Sequence, residues 1–172
     1  MTTSLSAADI TVRRARTDDV GAIRELLGRY QGILLDKPDV TLFEDIQEFW
    51  VAEHDGDGRV LGCGALHVIW LDLGEVRTLA VDPECRGMGV GARILDKLVR
   101  TAARIGVRRL FCLTFEVDFF AAHGFSEISG VPVPPQIEAE VSKSQDDGVA
   151  EFLDLEQVKP NTLGNTRMLR IL

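Results

Sequence analysis

The sequence predicts a mixed α/β fold, on three observations. Strand-like and helix-like segments interleave along the 172 residues instead of grouping by type. Hydrophobic residues make up 45% of the chain, enough at this size to bury a core without disulfides or a structural metal. No internal repeat, low-complexity tract or linker divides it, so residues 10–172 are expected to form one domain behind a flexible tail at 1–9.

Ile10–Ala15 (ITVRRA) reads as a short strand. Thr17 and Asp18 are cap-type residues ahead of Val20, Ile23, Leu27 and Tyr30, which share one helical face. Gly32 breaks that helix, and a Pro38 turn leads into a second one, TLFEDIQ. Three strand-like segments follow: EFWVAEH, then RVLGCGALHVIW beyond the turn DGDG, then GEVRTLAVD. After a glycine stretch, Val90, Ile94, Leu98 and Ala102 recur every four residues, and Gly106 is placed to end their helix. VRRLFCLTF (Val107–Phe115) is nearly continuously apolar and reads as a central strand. A short helix VDFFAAHG and a strand FSEIS lead to VPVPPQIEAEVSKSQDDGV, whose prolines and polar residues predict a loop with one small helix. TRMLRIL closes the chain as a strand.

Composition excludes several functions. With a net charge of −8 and a pI near 4.9, the surface should repel nucleic acid and anionic membranes, so a small soluble ligand is the better expectation. No apolar run approaches the ~20 residues of a membrane span, and MTTSLSAADI lacks the basic and apolar regions of a signal peptide. Cys63, Cys85 and Cys112 are scattered and show no C-x-x-C spacing, which fits reduced thiols in a cytoplasmic protein. His54, His67 and His123 have no metal-ligand spacing, so no metal is expected.

The stretch CRGMGVGA carries the chemistry. Glycine amides ahead of a helix suit a pyrophosphate, because oxygens approach several N–H groups and the helix N-terminus adds partial positive charge. GMGVGA fits the dinucleotide pattern G-x-G-x-x-A, a weak signal alone. RGMGVG fits R-x-x-G-x-G. Context favours the second: a dinucleotide fold turns straight from its first strand into the glycines, whereas here DPEC intervenes and about half the chain lies upstream.

R-x-x-G-x-G is the acetyl-coenzyme A loop of the GCN5-related N-acetyltransferases, and the order of elements around LAVDPECRGMGVG, LFCLTF and FFAAHGF resembles that family over nearly the whole chain. QGILLDKPD, VLGCGALHV, GEVRTLAV and GNTRML are similar to the acetyltransferase domain of bacterial N-acetylglutamate synthases, most of all the short stand-alone actinobacterial form. Longer members carry an arginine-binding, amino-acid-kinase-like domain, for which this chain has no room.

The resemblance implies the single-domain acyl-CoA N-acyltransferase fold and acetyl-CoA as co-substrate. Its pantetheine arm would pair with the strand residues Leu79, Ala80 and Val81. Its phosphates would meet the amides of Arg86, Gly87, Met88, Gly89, Val90, Gly91 and Ala92, and Phe119, of the pair Phe119 and Phe120, would pack under the arm. Glu75 would take the proton of the attacking amine, although by the two-residue strand period it also shares a face with Arg77. Thr114 would donate a hydrogen bond to the leaving sulfur, or merely suit a strand. A backbone N–H around Thr78 or Leu79 would meet the oxyanion.

By the same resemblance, Leu35, Lys37, Thr78, Asn165, Thr166 and Arg167 hold the amino-acid substrate. Family members carry more basic residues where this chain has Asp36 with Lys37 and Gly164 with Asn165, so the pocket reads as less basic and glutamine joins glutamate as an expected substrate; Lys159 would restore one charge. The expected reaction is acetyl transfer to the α-amine, the first step of arginine biosynthesis. Acetylation of a protein or peptide amine, and a non-catalytic acetyl-CoA sensor, are the rival readings. A homodimer is a fair expectation because symmetric dimers are the commonest soluble assemblies.

Overall fold

Strand pairing orders the chain. A computed structural model describes residues 5–34, 36–155 and 164–172. The strands are β1 (Ile10–Arg14), β2 (Phe49–His54), β3 (Val60–Trp70), β4 (Leu73–Val81), β5 (Arg109–Thr114), β6 (Ser126–Glu127) and β7 (Thr166–Ile171). They are hydrogen-bonded in the order β1-β2-β3-β4-β5-β7-β6. Pairs β1–β2, β2–β3, β5–β7 and β6–β7 are antiparallel, and β4–β5 is parallel. A parallel pair needs a long crossover, supplied by α3 (Val90–Arg104). Two packing units make up the chain: the described residues to Leu66 with Val76–Thr101, and His67–Glu75 with the described residues from Ala102 onward.

In the first unit, α1 (Val20–Gly28) buries Val20, Ile23 and Leu26, the three-residue recurrence of an amphipathic helix. With Leu42 of α2 (Asp39–Glu44) they pack on Phe49, Val51, Cys63, Ala65 and Ala80. The helix begins one to two residues later than Thr17 and Asp18 suggested, behind a 3-10 turn, Thr17–Asp19. Asp19 is the reason: its carboxylate accepts from the Arg16 amide at 2.7 Å and from Arg13 at 2.8 and 2.9 Å, which fixes the chain entering the helix. Gly62 and Gly64 let α3 settle on β3. A Cβ at Gly64 would stand 2.8 Å from Ile94 Cγ2 and 3.2 Å from Leu98 Cδ1.

In the second unit, Phe111 of β5 meets Phe152 edge to face, with ring centroids 5.0 Å apart. Leu73, Val141, Val149 and Leu153 complete that core. The segment expected to be a loop with one small helix holds α5 (Pro135–Val141), and a further helix, α6 (Asp147–Phe152), begins at its end. Pro135 sits at the first turn of α5, where its missing N–H costs nothing, and Asp146 caps α6 by accepting from the Val149 amide at 2.8 Å. The short helix α4 (Val117–Ala122) follows β5, and β6 has two residues, not the five of FSEIS.

Candidate active site

The phosphate-loop segment lies in the first unit. Asp82 directly follows β4 and is buried; it caps the turn Pro83–Cys85 by accepting from the Glu84 amide at 3.0 Å, and its other oxygen accepts from Arg29 at 2.7 Å. The chain then turns through Gly87 (φ 81) and Gly89 (φ 73), both left-handed, before α3 starts at Val90. An added Cβ would meet nothing within 4 Å at either glycine. Glycine is required there by conformation, and the space above the loop is open. Arg86 and Gly87 are exposed and Met88 is half-buried, while Gly91 and Ala92 form the first turn of α3.

Upstream, Thr78 has φ 57, one of two non-glycine residues in the left-handed region among the described residues. A β-branched residue there is a conformational outlier of the kind that marks functional backbone. Leu79, Ala80 and Val81 follow. Val81's carbonyl accepts a hydrogen bond from the Tyr30 hydroxyl. Burial pushes the Tyr30 phenol up, against the opposing pull of Arg86. Arg29 and Tyr30, which directly follow α1, were not expected at the site: Tyr30 was read only as part of an apolar helix face, and Arg29 was not read at all. Lys37 is not free: its side chain is 7% exposed and its ammonium lies 3.8 Å from the Asp45 carboxylate. Leu35 and Lys159 lie outside the described residues.

The second unit contains Glu75, 5% exposed. It stands opposite Phe111 in the β4–β5 ladder, which pairs Leu73–Arg109, Gly74–Leu110 and Glu75–Phe111. Its charge reaches Arg167 and Cys112. Burial pushes the Cys112 thiol up and Glu75 pushes it further, whereas burial lowers the Arg167 guanidinium against the pull of Asp154 and Glu75. Thr114 is buried, and its hydroxyl oxygen accepts from the Glu116 amide at 2.8 Å, which leaves the hydroxyl proton to donate. The β5–β7 register sets Thr114 opposite Thr166 and Leu113 opposite Arg167; Asn165 precedes this strand and is half-buried.

Arg167 spends its donors on backbone carbonyls: Nε on Gly130 at 2.9 Å, one terminal nitrogen on Phe152, the other on Glu151 at 3.5 Å. It also stacks on Phe111, 4.9 Å from the ring centroid. These contacts tie the Gly130 turn and the end of α6 to the sheet. Phe120 is core, edge to face with Phe125 at 5.1 Å, while Phe119 is half-buried beside His123, whose Nδ1 donates to the Phe119 carbonyl at 2.7 Å. Among the described residues no group of three or more His, Cys, Asp or Glu could hold a metal, and no helix is long and apolar enough to cross a membrane.

A mixed sheet whose parallel pair is joined by one helix, with left-handed glycines at that helix's start and a left-handed residue in the strand before it, defines an acyl-CoA N-acyltransferase fold. The chain belongs to the acetyltransferase (GNAT) family, whose model matches residues 20–130. It is 59% identical over 163 residues, 94% of each chain, to the amino-acid acetyltransferase of Mycobacterium tuberculosis. A crystal structure of an M. tuberculosis protein in complex with CoA and NLQ superposes with a TM-score of 0.92 at 58% identity, over 94% of this chain and 99% of that one. N-acetylglutamate synthase from Neisseria gonorrhoeae, solved with coenzyme A and N-acetyl-glutamate, gives 0.74 at 29% identity, over 95% of this chain and 35% of that one.

Proposed function

We propose that the protein is an amino-acid N-acetyltransferase that moves the acetyl group of acetyl-CoA to the α-amine of glutamate or glutamine, opening arginine biosynthesis. The observation that carries this reading is the end-to-end likeness, 59% over 94% of both chains, to an amino-acid acetyltransferase. The buried carboxylate of Glu75, three residues before the left-handed Thr78, supports the chemistry.

An α-ammonium is mostly protonated at neutral pH and cannot attack. Glu75, directly or through one water, takes its proton. The neutral nitrogen then forms a bond to the thioester carbon, whose C=O electrons move to oxygen, where a β4 backbone N–H meets the charge. Collapse breaks the C–S bond, the nitrogen gives up its second proton to become the amide, that proton is taken up by the departing thiolate through solvent, and Thr114 donates a hydrogen bond to that thiolate. The open loop through Gly87 and Gly89 suits the phosphates of acetyl-CoA, and Leu79 to Val81 its arm. Lys37, already opposite Asp45, offers less net charge to a substrate carboxylate than a free lysine, which supports glutamine beside glutamate.

The test is coenzyme A release, followed with a thiol reagent, using acetyl-CoA and a panel of amino acids and short peptides. Turnover with glutamate or glutamine is expected, and Glu75→Gln should lose it at least a hundredfold while still binding acetyl-CoA. Turnover with peptides alone would sink the reading.

A further inference from the structure

Cys63 has no part in the chemistry above, yet it is wholly buried on β3 between Gly62 and Gly64. Side chains alternate along a strand. The two glycines face α3, where a Cβ would crowd Ile94 at 2.9 and 2.8 Å. The thiol faces the other way, into the core built by α1 and α2. There its S–H donates to the Thr78 carbonyl at 3.4 Å, and the Ala80 amide bonds to the same sulfur. One side chain thus holds backbone groups on both sides of Leu79.

Strand carbonyls ordinarily lie in the sheet and meet a neighbouring amide, while side chains stand perpendicular to it. A thiol reaches a strand carbonyl where the peptide has turned, and Thr78 at φ 57 is that turn. The peptide bond is planar and trans. Its two polar groups therefore point in opposite directions, and fixing the Thr78 C=O on the thiol aims the Leu79 N–H away from the α1–α2 core.

The geometry points to Cys63 as a positioning residue: its thiol locks the Thr78–Leu79 peptide so that the Leu79 N–H meets the thioester oxygen as charge develops there. This rests on the reading of β4 as the acetyl-CoA strand. Burial pushes the thiol up to about 12, so it remains a protonated donor at any working pH. Alanine would leave both backbone groups without their partner, and serine would offer a donor on a shorter bond.

The experiment compares wild type, Cys63→Ala and Cys63→Ser in two measurements. One is kcat and KM for acetyl-CoA with the better amino acid. The other is the infrared carbonyl band of carbonyl-13C acetyl-CoA bound without acceptor, each taken well below the variant's melting temperature. Cys63→Ala should lower kcat tenfold or more with KM within twofold, and its carbonyl band should return toward the frequency in water. Cys63→Ser should fall between alanine and wild type in both. Alanine with wild-type kcat and an unmoved band would overturn the role of Cys63 while leaving the acetyl-CoA strand intact. Equal losses in alanine and serine with the band unmoved would assign the effect to packing and overturn it as well. A wild type that does not bind acetyl-CoA would remove both readings together.

Discussion

Replacing Gly89 by alanine separates backbone conformation from ligand approach. Gly89 has φ 73, and a Cβ built on it meets nothing within 4 Å. The free protein therefore pays only for holding an L-residue left-handed, about 1–2 kcal/mol. For a domain of this size, 1 kcal/mol moves Tm by roughly 2–4 °C, so a fall of about 2–8 °C is expected. If the loop amides cradle the phosphates of acetyl-CoA, the same methyl group stands where an oxygen must come, and affinity should fall at least tenfold, about 1.4 kcal/mol or more. Scanning calorimetry without ligand and titration calorimetry with coenzyme A read the two quantities separately. Gly106→Ala is the control, with φ 96, equally open space and a position beyond the end of α3; it should lose stability and keep its affinity. A Gly89→Ala protein that melts earlier yet binds coenzyme A as tightly as wild type would refute the assignment of this loop.

Two further expectations concern the supports of the site. Arg167→Lys removes the planar fork that serves Gly130, Glu151 and Phe152, so about 2–3 kcal/mol of stability should go. Amide exchange in α6 should quicken; unchanged protection there would show that the clamp does not hold this helix. Burial pushes the Asp19 carboxyl up, but hydrogen bonds from Arg13 and the Arg16 amide outweigh it and hold it below the ordinary 3.8. A depressed carboxyl contributes fully above its unfolded pKa and loses that contribution as pH falls through the lower folded value. The Tm of wild type should therefore drop more steeply than that of Asp19→Asn between about pH 5 and pH 3, and parallel slopes would contradict this.

The long elements were legible because burial imposes a period. Val90, Ile94, Leu98 and Ala102 predicted α3, and each is at most 1% exposed. The short α6 was missed because six residues show little period, and its first three, Asp147, Gly148 and Val149, close a stretch that reads as polar. The glycine loop was legible because left-handed backbone nearly demands glycine. Thr78 was not, since TLAV has the composition of a regular strand and nothing in a β-branched residue announces φ 57. Sequence likewise identified Arg167 and Lys37 as charges to set against a substrate. The fold engages the first with three carbonyls and the second with Asp45, contacts that depend on residues far along the chain or on the intervening helix α2.

The hydroxyl on the Val81 carbonyl has a practical consequence. Tyr30 is the chain's single tyrosine, and its oxygen sits on the last residue of the strand assigned to the cofactor arm. Fluorotyrosine incorporated biosynthetically would give a fluorine spectrum of one line, with no assignment needed. A pantetheine arm that pairs along β4 would change the electron density of that carbonyl, and the resonance would move with it. Occupancy of the strand becomes readable at equilibrium, in protein that turns nothing over.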